Sequence, residues 1–141
     1  MRTIKFRGKN PATEEWVFGN YVQLRDERGG LELNVVSREA ESNGQGGFTN
    51  TWFEVMPETV GQFTGLHDIN GNEVYEGDIV RYRLTDDRYK KNPRFANLLI
   101  HYDEGQARFE AGNIYWDALR PGKIEVVGNI HDNPELLNQE K

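Results

Sequence analysis

Gly65-Leu-His-Asp-Ile-Asn-Gly-Asn-Glu-Val-Tyr-Glu-Gly-Asp-Ile-Val80 packs three glycines and four carboxylates into sixteen residues. Three readings compete for it: a metal loop, a catalytic site, or a corner in a β-sheet. A calcium loop of the EF-hand kind needs D-x-[DN]-x-[DN]-G. Asp68, Asn70 and Asn72 fill its first three ligand slots, but Glu73 stands where the glycine is required, and Gly71 arrives two positions early. No helical periodicity flanks the stretch. Asn70-Gly71 is instead the pair favoured by a two-residue type I′ hairpin, whose central residues both take positive φ. The expectation is a hairpin joining Leu66–Ile69 to Glu73–Tyr75. A second turn at Glu76-Gly77 follows, with Asp78 accepting bonds from neighbouring backbone N–H groups. Asp68, Glu73, Glu76 and Asp78 then read as a solvated rim and not as a catalytic pair.

Strand signals continue on both sides of this corner. Downstream, Val80, Tyr82 and Leu84 alternate with Arg81 and Arg83, and Leu98, Ile100 and Tyr102 alternate with His101 and Asp103, the period of half-buried strands. Residues 107–111, 114–119 and 124–130 repeat the device between turns, and Asn133-Pro-Glu-Leu-Leu137 reads as a capped helical turn. Upstream, Ile4 and Phe6 alternate with Lys5 and Arg7, and a turn at Asn10-Pro11 leads into Glu15–Leu24, which predicts a hairpin. Leu31, Leu33 and Val35 share one strand face. Residues 37–50 hold three glycines and both serines of the chain and read as a mobile loop. Thr51–Met56 resumes strand character, and Pro57–Val60 suits one helical turn. The expected fold is all-β: a strand-rich N-terminal half, residues 1–60, packed on a small SH3-like barrel formed by residues 61–141, with short helical turns. Val80, Tyr82, Leu84, Leu98, Ile100, Tyr102, Phe109, Val126 and Ile130 are its expected interior, with Trp16, Trp52 and Phe53 serving the first half.

Composition excludes several chemistries. The 141 residues contain no cysteine, so disulfides, thiolate nucleophiles and thiolate metal sites are absent together. No apolar run is long enough to span a bilayer, and Met1–Phe6 lacks the apolar core of a signal peptide, which predicts a cytoplasmic protein without a membrane partner. Ser37 and Ser42 lie in the glycine-rich segment with no Gly-x-Ser-x-Gly elbow. Neither a Walker loop nor a dinucleotide GxGxxG occurs, and no cofactor is expected. Histidines sit near aspartates at His67/Asp68, His101/Asp103 and His131/Asp132, but sequence spacing does not gather them, and the expectation is no metal site. Glu76, Asp78, Asp103 and Glu110 are the carboxylates left for acid–base hydrolysis, and a carboxylate-based or metal-dependent hydrolase is the weaker alternative to a protein with no catalytic residues.

Charge points to another alternative. The net charge is −6, which disfavours polyanions for the molecule as a whole. Within residues 81–94, however, Arg81, Arg83, Arg88, Lys90, Lys91 and Arg94 outnumber Asp86 and Asp87, six to two, a surplus of +4 that leaves −10 on the remainder. Tyr82, Tyr89 and Phe95 are interleaved with these cations, a pattern that serves nucleic-acid binding on small barrels. The competing reading is a hairpin loop whose lysines keep a sheet edge soluble.

The stretch from Val60 to Val80 resembles the signature QxTGLxDxNGxxIYEGDIV of the YopX family of phage and prophage proteins, with Val74 in place of the usual isoleucine. The opening Met1-Arg-Thr-Ile-Lys-Phe-Arg7 and the closing Val127-Gly-Asn-Ile-His-Asp-Asn-Pro-Glu-Leu-Leu137 are also similar to that family's ends. The resemblance implies a small, mostly β protein of a bacterial host's phage, and supplies no catalytic residues. The functional expectation is a non-catalytic accessory protein that binds a host or phage macromolecule, or assembles with itself.

Overall fold

The computed structural model describes residues 2–26, 28–29, 32–37, 41–42, 48–49, 51–83, 94–112, 114–115 and 123–138, with backbone alone at 41–42, 48–49 and 114–115. The described residues are all-β apart from short 3-10 turns. The chain divides into two compact units, Met1–Phe63 and Thr64–Lys141.

The first unit contains β1 (Phe6–Lys9), β2 (Trp16–Arg25), β3 (Glu32–Ser37), β4 (Glu41–Ser42), β5 (Phe48–Thr49), β6 (Trp52–Glu54) and most of β7 (Met56–His67). The expected first hairpin forms, with Phe6 opposite Gly19 and Lys9 opposite Trp16. Its sheet runs in the order β6-β3-β2-β1-β7, and its core is Val17, Val36 and Val55, flanked by Tyr21, Phe53 and Val60. Residues 41–42 and 48–49, expected in a mobile loop, pair as a two-stranded ladder; residues 38–40, 43–47 and 50 of that expectation lie outside the described residues. Pro57–Val60 is strand and not a helical turn. Burial alternates at Thr59, Gly61 and Phe63, and Thr59 Oγ1 accepts the N–H of Lys9 at 2.9 Å while donating to Met56 O at 2.6 Å. These residues span the register slip between Arg7 opposite Gly61 and Lys9 opposite Met56, and strands accept proline at bulges and near their first residue. Trp52 is also displaced from its expected interior place, at 52% exposure on the outermost strand β6.

Gly8 packs closely against Val55. The β1–β7 register slips between Arg7 and Lys9, and a Cβ built on Gly8 would lie 2.7–2.9 Å from three side-chain carbons of Val55. Only a residue without Cβ fits there.

The second unit holds the end of β7, then β8 (Glu73–Tyr75), β9 (Asp78–Arg83), β10 (Phe95–Asp103), β11 (Arg108–Ala111), β12 (Ile114–Tyr115), β13 (Ile124–Asn129) and a 3-10 helix at Pro134–Asn138. Strands β9 to β13 form an antiparallel sheet in the order β12-β11-β10-β9-β13. A meander of four strands thus receives the fifth beside its first, and among the described residues the two outer strands are not paired with each other. The sheet is open, not a closed barrel. Val74, Val80, Ile100, Ala111 and Ile124 form its core, with Tyr82, Leu98 and Val126 packed against them. The alternation in β9 holds, since Val80 and Tyr82 face this core and Arg81 is exposed; Leu84 lies outside the described residues. Tyr102 corrects the expectation for β10. It is 43% exposed and meets Phe109 edge-on at 5.3 Å, a surface pair at the end of the sheet instead of an interior ring. Asn97 Nδ2 donates to Leu136 O at 3.0 Å and ties the terminal 3-10 helix to β10.

Replacing Gly8 with alanine forces Val55 aside and lowers stability by about 1–3 kcal/mol, the usual range for overpacking. Urea unfolding of Gly8→Ala, Val55→Ala and the double variant checks this: the double variant loses less than the two single losses added together.

Candidate functional site

The signature turn is built around one carboxylate. Asp68 Oδ1 accepts the backbone N–H groups of Asn70 and Asn72, each at 2.9 Å, while Oδ2 accepts the N–H of Val126 at 2.9 Å and faces Asn72 Nδ2 at 3.4 Å. The backbone closes the same loop: Gly71 N–H donates to Asp68 O and Asp68 N–H donates to Asn72 O. Positive φ occurs at Gly71, +82°, and not at Asn70. The hairpin is therefore a three-residue loop with a left-handed glycine in third place, not the two-residue type I′ turn that Asn-Gly suggested. Asp68 accepts the N–H groups two and four residues on with Ile69 and Asn70 outside the positive-φ region, which leaves the left-handed step to Gly71.

This turn also closes an edge. Ile69 N–H donates to Ile124 O at 3.1 Å, and Val126 N–H donates to Asp68 Oδ2. Residues 68–69 thus stand in for a neighbouring strand along the outer side of β13. Asp68 is 6% exposed and Asp78 2%, so neither belongs to a solvated rim. Burial pushes the Asp68 carboxyl up, and the hydrogen bonds from Val126, Asn72 and Asn70 outweigh it and leave the group below its ordinary value. Asp78 Oδ2 accepts the N–H of Tyr75 at 2.7 Å, as expected of an aspartate after a turn. Gly77, at φ +89°, donates to Ile100 O and accepts from Ile130 N–H, so the second turn links β10 to the end of β13.

The other polar candidates are absorbed locally. His101 Nε2 lies 2.9 Å from Gly112 O and 3.7 Å from Glu110 Oε2, and Arg108 Nε is 3.5 Å from Glu110 Oε1. Asp103 Oδ1 accepts the N–H of Gly105 at 2.9 Å, and Asp132 Oδ2 accepts from Asn129 Nδ2 at 3.0 Å. Among the described residues no three His, Asp or Glu side chains are grouped to hold a metal ion. Nothing in this arrangement points to catalysis.

An open cleft of about 310 Å³ lies on the opposite face of the sheet from the core, lined by Ile69, Arg81, Arg83, Phe95, Lys123 and Glu125. Strand register assembles it: Arg83 pairs with Phe95, and Arg81 lies between Asn97 and Glu125. The Arg81 guanidinium stacks 3.9 Å from the Phe95 ring centroid, a contact worth about 0.5–1 kcal/mol where exposed. Three cations, one carboxylate, one ring and the 52% exposed Ile69 make a surface suited to holding an anion that carries a flat apolar group. Of the six cations singled out in the sequence, Arg81 and Arg83 line the cleft. Arg94 is exposed beside it in sequence but is not among its lining residues. Arg88, Lys90 and Lys91 lie outside the described residues. Lys123, Glu125 and Ile69 escaped sequence reasoning because nothing local brings β13 or the signature turn to β9.

The chain matches the sequence family described as YopX protein over residues 5–138. Among solved structures it is similar to protein EF1440 from Enterococcus faecalis, with 28% identity, a TM-score of 0.54, and 97% of this chain and 99% of that one covered. No curated protein matches it.

The lowered pKa of Asp68 gives stability a pH dependence of known sign. Its contribution is present in full above the unfolded carboxyl value of about 3.9 and disappears as pH falls through the lower folded value. Asp68→Asn replaces one accepting oxygen by a donor and costs about 1–3 kcal/mol at neutral pH. Urea midpoints of the two proteins converge on acidification through that window; a constant gap would show that the carboxylate charge contributes nothing.

Proposed function

Because this chain belongs to the YopX family, we propose that it is a non-catalytic accessory protein of phage or prophage origin that acts in the host cytoplasm by binding a macromolecular partner. The observation that carries the reading is the cleft, where Arg81, Phe95 and Lys123 are presented on a sheet face while the two buried signature aspartates accept backbone bonds. Binding needs exposed, pre-positioned side chains; acid–base turnover needs a carboxylate free to exchange a proton with substrate. Among the described residues no helix is long and apolar enough to cross a membrane, in keeping with this reading.

We read the second unit as an SH3-like sheet left open, since a four-strand meander whose fifth strand returns to its first is the order of such small barrels. A second reading, self-assembly, draws on β6: it is outermost in its sheet and carries Trp52 half exposed, and a strand edge with a large apolar side chain is a template for pairing.

Affinity capture from host lysate with the wild type and with Arg81→Glu/Lys123→Glu separates these readings. The captured species falls by about 30-fold in the variant, the factor of a 2 kcal/mol hot spot, at unchanged melting temperature. Identical captures from both proteins, or a metabolite consumed by the wild type, would overturn the reading.

A further inference from the structure

We propose that the Arg81–Phe95–Lys123 cleft binds single-stranded nucleic acid, with phosphates at Arg81 and Lys123 and a base stacked at the Arg81–Phe95 pair. The inference rests on the reading of the chain as a binding protein and adds the chemistry of its ligand.

The lining demands two properties of one ligand. Arg81, Arg83 and Lys123 against Glu125 leave a local surplus of two positive charges, which calls for an anion. Phe95, with the Arg81 guanidinium 3.9 Å from its ring centroid, and the exposed Ile69 call for a flat apolar face. An inorganic anion leaves the ring and Ile69 unused, and an acidic peptide supplies charge without a π-face. A nucleotide carries both in each repeating unit, and stacking on aromatic side chains and arginine planes is how unpaired bases are held.

Size and spacing agree. The cleft, about 310 Å³, sits at the lower end of small-ligand sites, about 300–1,000 Å³, room for about one nucleotide. Arg81 and Arg83 are two residues apart on one strand, so their backbone positions are separated by about 6.6 Å, and Lys123 comes from the neighbouring strand region about 4.8 Å away. That array tracks the backbone of an extended strand. A duplex keeps its base faces stacked on one another and offers none to Phe95. Cations meet rings in the first unit too, with Arg7 4.5 Å from Trp16, but Arg7 is buried there and that pair belongs to packing.

Fluorescence anisotropy with a labelled short oligodeoxythymidylate, its duplex with oligodeoxyadenylate, and a polyglutamate peptide of equal charge tests the assignment on the full chain. The single strand binds more tightly than either competitor. Its log affinity falls against log salt with a slope between about −1.4 and −2.1, as two or three neutralised phosphates require. Phe95→Leu keeps an apolar side chain yet weakens binding about 5- to 150-fold, the range of one lost base stack, with the slope unchanged. Lys123→Ala reduces the slope by about 0.7, and Arg81→Gln loses both charge and stack; melting temperatures verify folding of each. Absence of single-strand binding at low salt, equal affinity for polyglutamate, or indifference to Phe95→Leu overturns the proposal. If the oligonucleotide fails while Arg81→Glu/Lys123→Glu still loses a captured protein, the ligand assignment falls and the binding reading stands; if that variant also captures what the wild type does, both fall.

Discussion

One buried carboxylate, Asp68, ties together segments that are far apart in sequence. The strand β13 returns across 58 positions to offer Val126 N–H to its Oδ2, while Oδ1 holds the two N–H groups of its own turn. Without that turn, β13 would present Ile124 O and Val126 N–H as an open edge, and unpaired edge groups are both costly when buried and prone to pair with other chains. Removing an ion from water costs several kcal/mol in a protein interior, and bonds to a charged group return about 1.5–3 kcal/mol each. Three backbone donors on one carboxylate are enough for the second to offset the first, which agrees with the direction in which its proton affinity is displaced.

The second turn completes the same design. Gly77 reaches β10 through Ile100 and the end of β13 through Ile130, and Asp78 holds the N–H of Tyr75. Both turns use a left-handed glycine, at φ +82° and +89°, where a side chain would be strained. The density of glycine and acid in this stretch therefore reflects how many backbone donors must be satisfied where β7, β8, β9 and β13 come close in the second unit.

What the sequence revealed followed its range. Alternation within a strand needs only neighbours, so the inward Val80 and Tyr82 and the outward Arg81 were legible, as was a hairpin at Asn70-Gly71. The turn type was not, because Asn-Gly favours type I′ until the Asp68 side chain takes the N–H groups of Asn70 and Asn72. The burial of Asp68 was invisible for a longer-range reason: its third donor belongs to β13. Proline rules misread Pro57–Val60, which continue β7 through the register slip opposite Gly8, with the hydroxyl of Thr59 accepting the N–H of Lys9. In the cleft, Arg81, Arg83 and Phe95 stood out as a basic, aromatic segment, whereas Lys123, Glu125 and Ile69 arrive only through the register of β13 with β9 and the docking of the signature turn.

The same topology divides the charges by role. Asp68 and Asp78, which satisfy backbone donors inside the second unit, are withdrawn from solvent, whereas Arg81 is held on the open face by the alternation that sends Val80 and Tyr82 inward. Net charge alone would argue against an anionic ligand, with −10 outside residues 81–94. Screening changes the balance, since at physiological ionic strength fields decay over about 8 Å, so a ligand at the cleft responds mainly to the cations that line it. The signature aspartates Asp68 and Asp78 are held by the chain's own backbone, whereas the exposed Arg81 shares a ledge with the Phe95 ring.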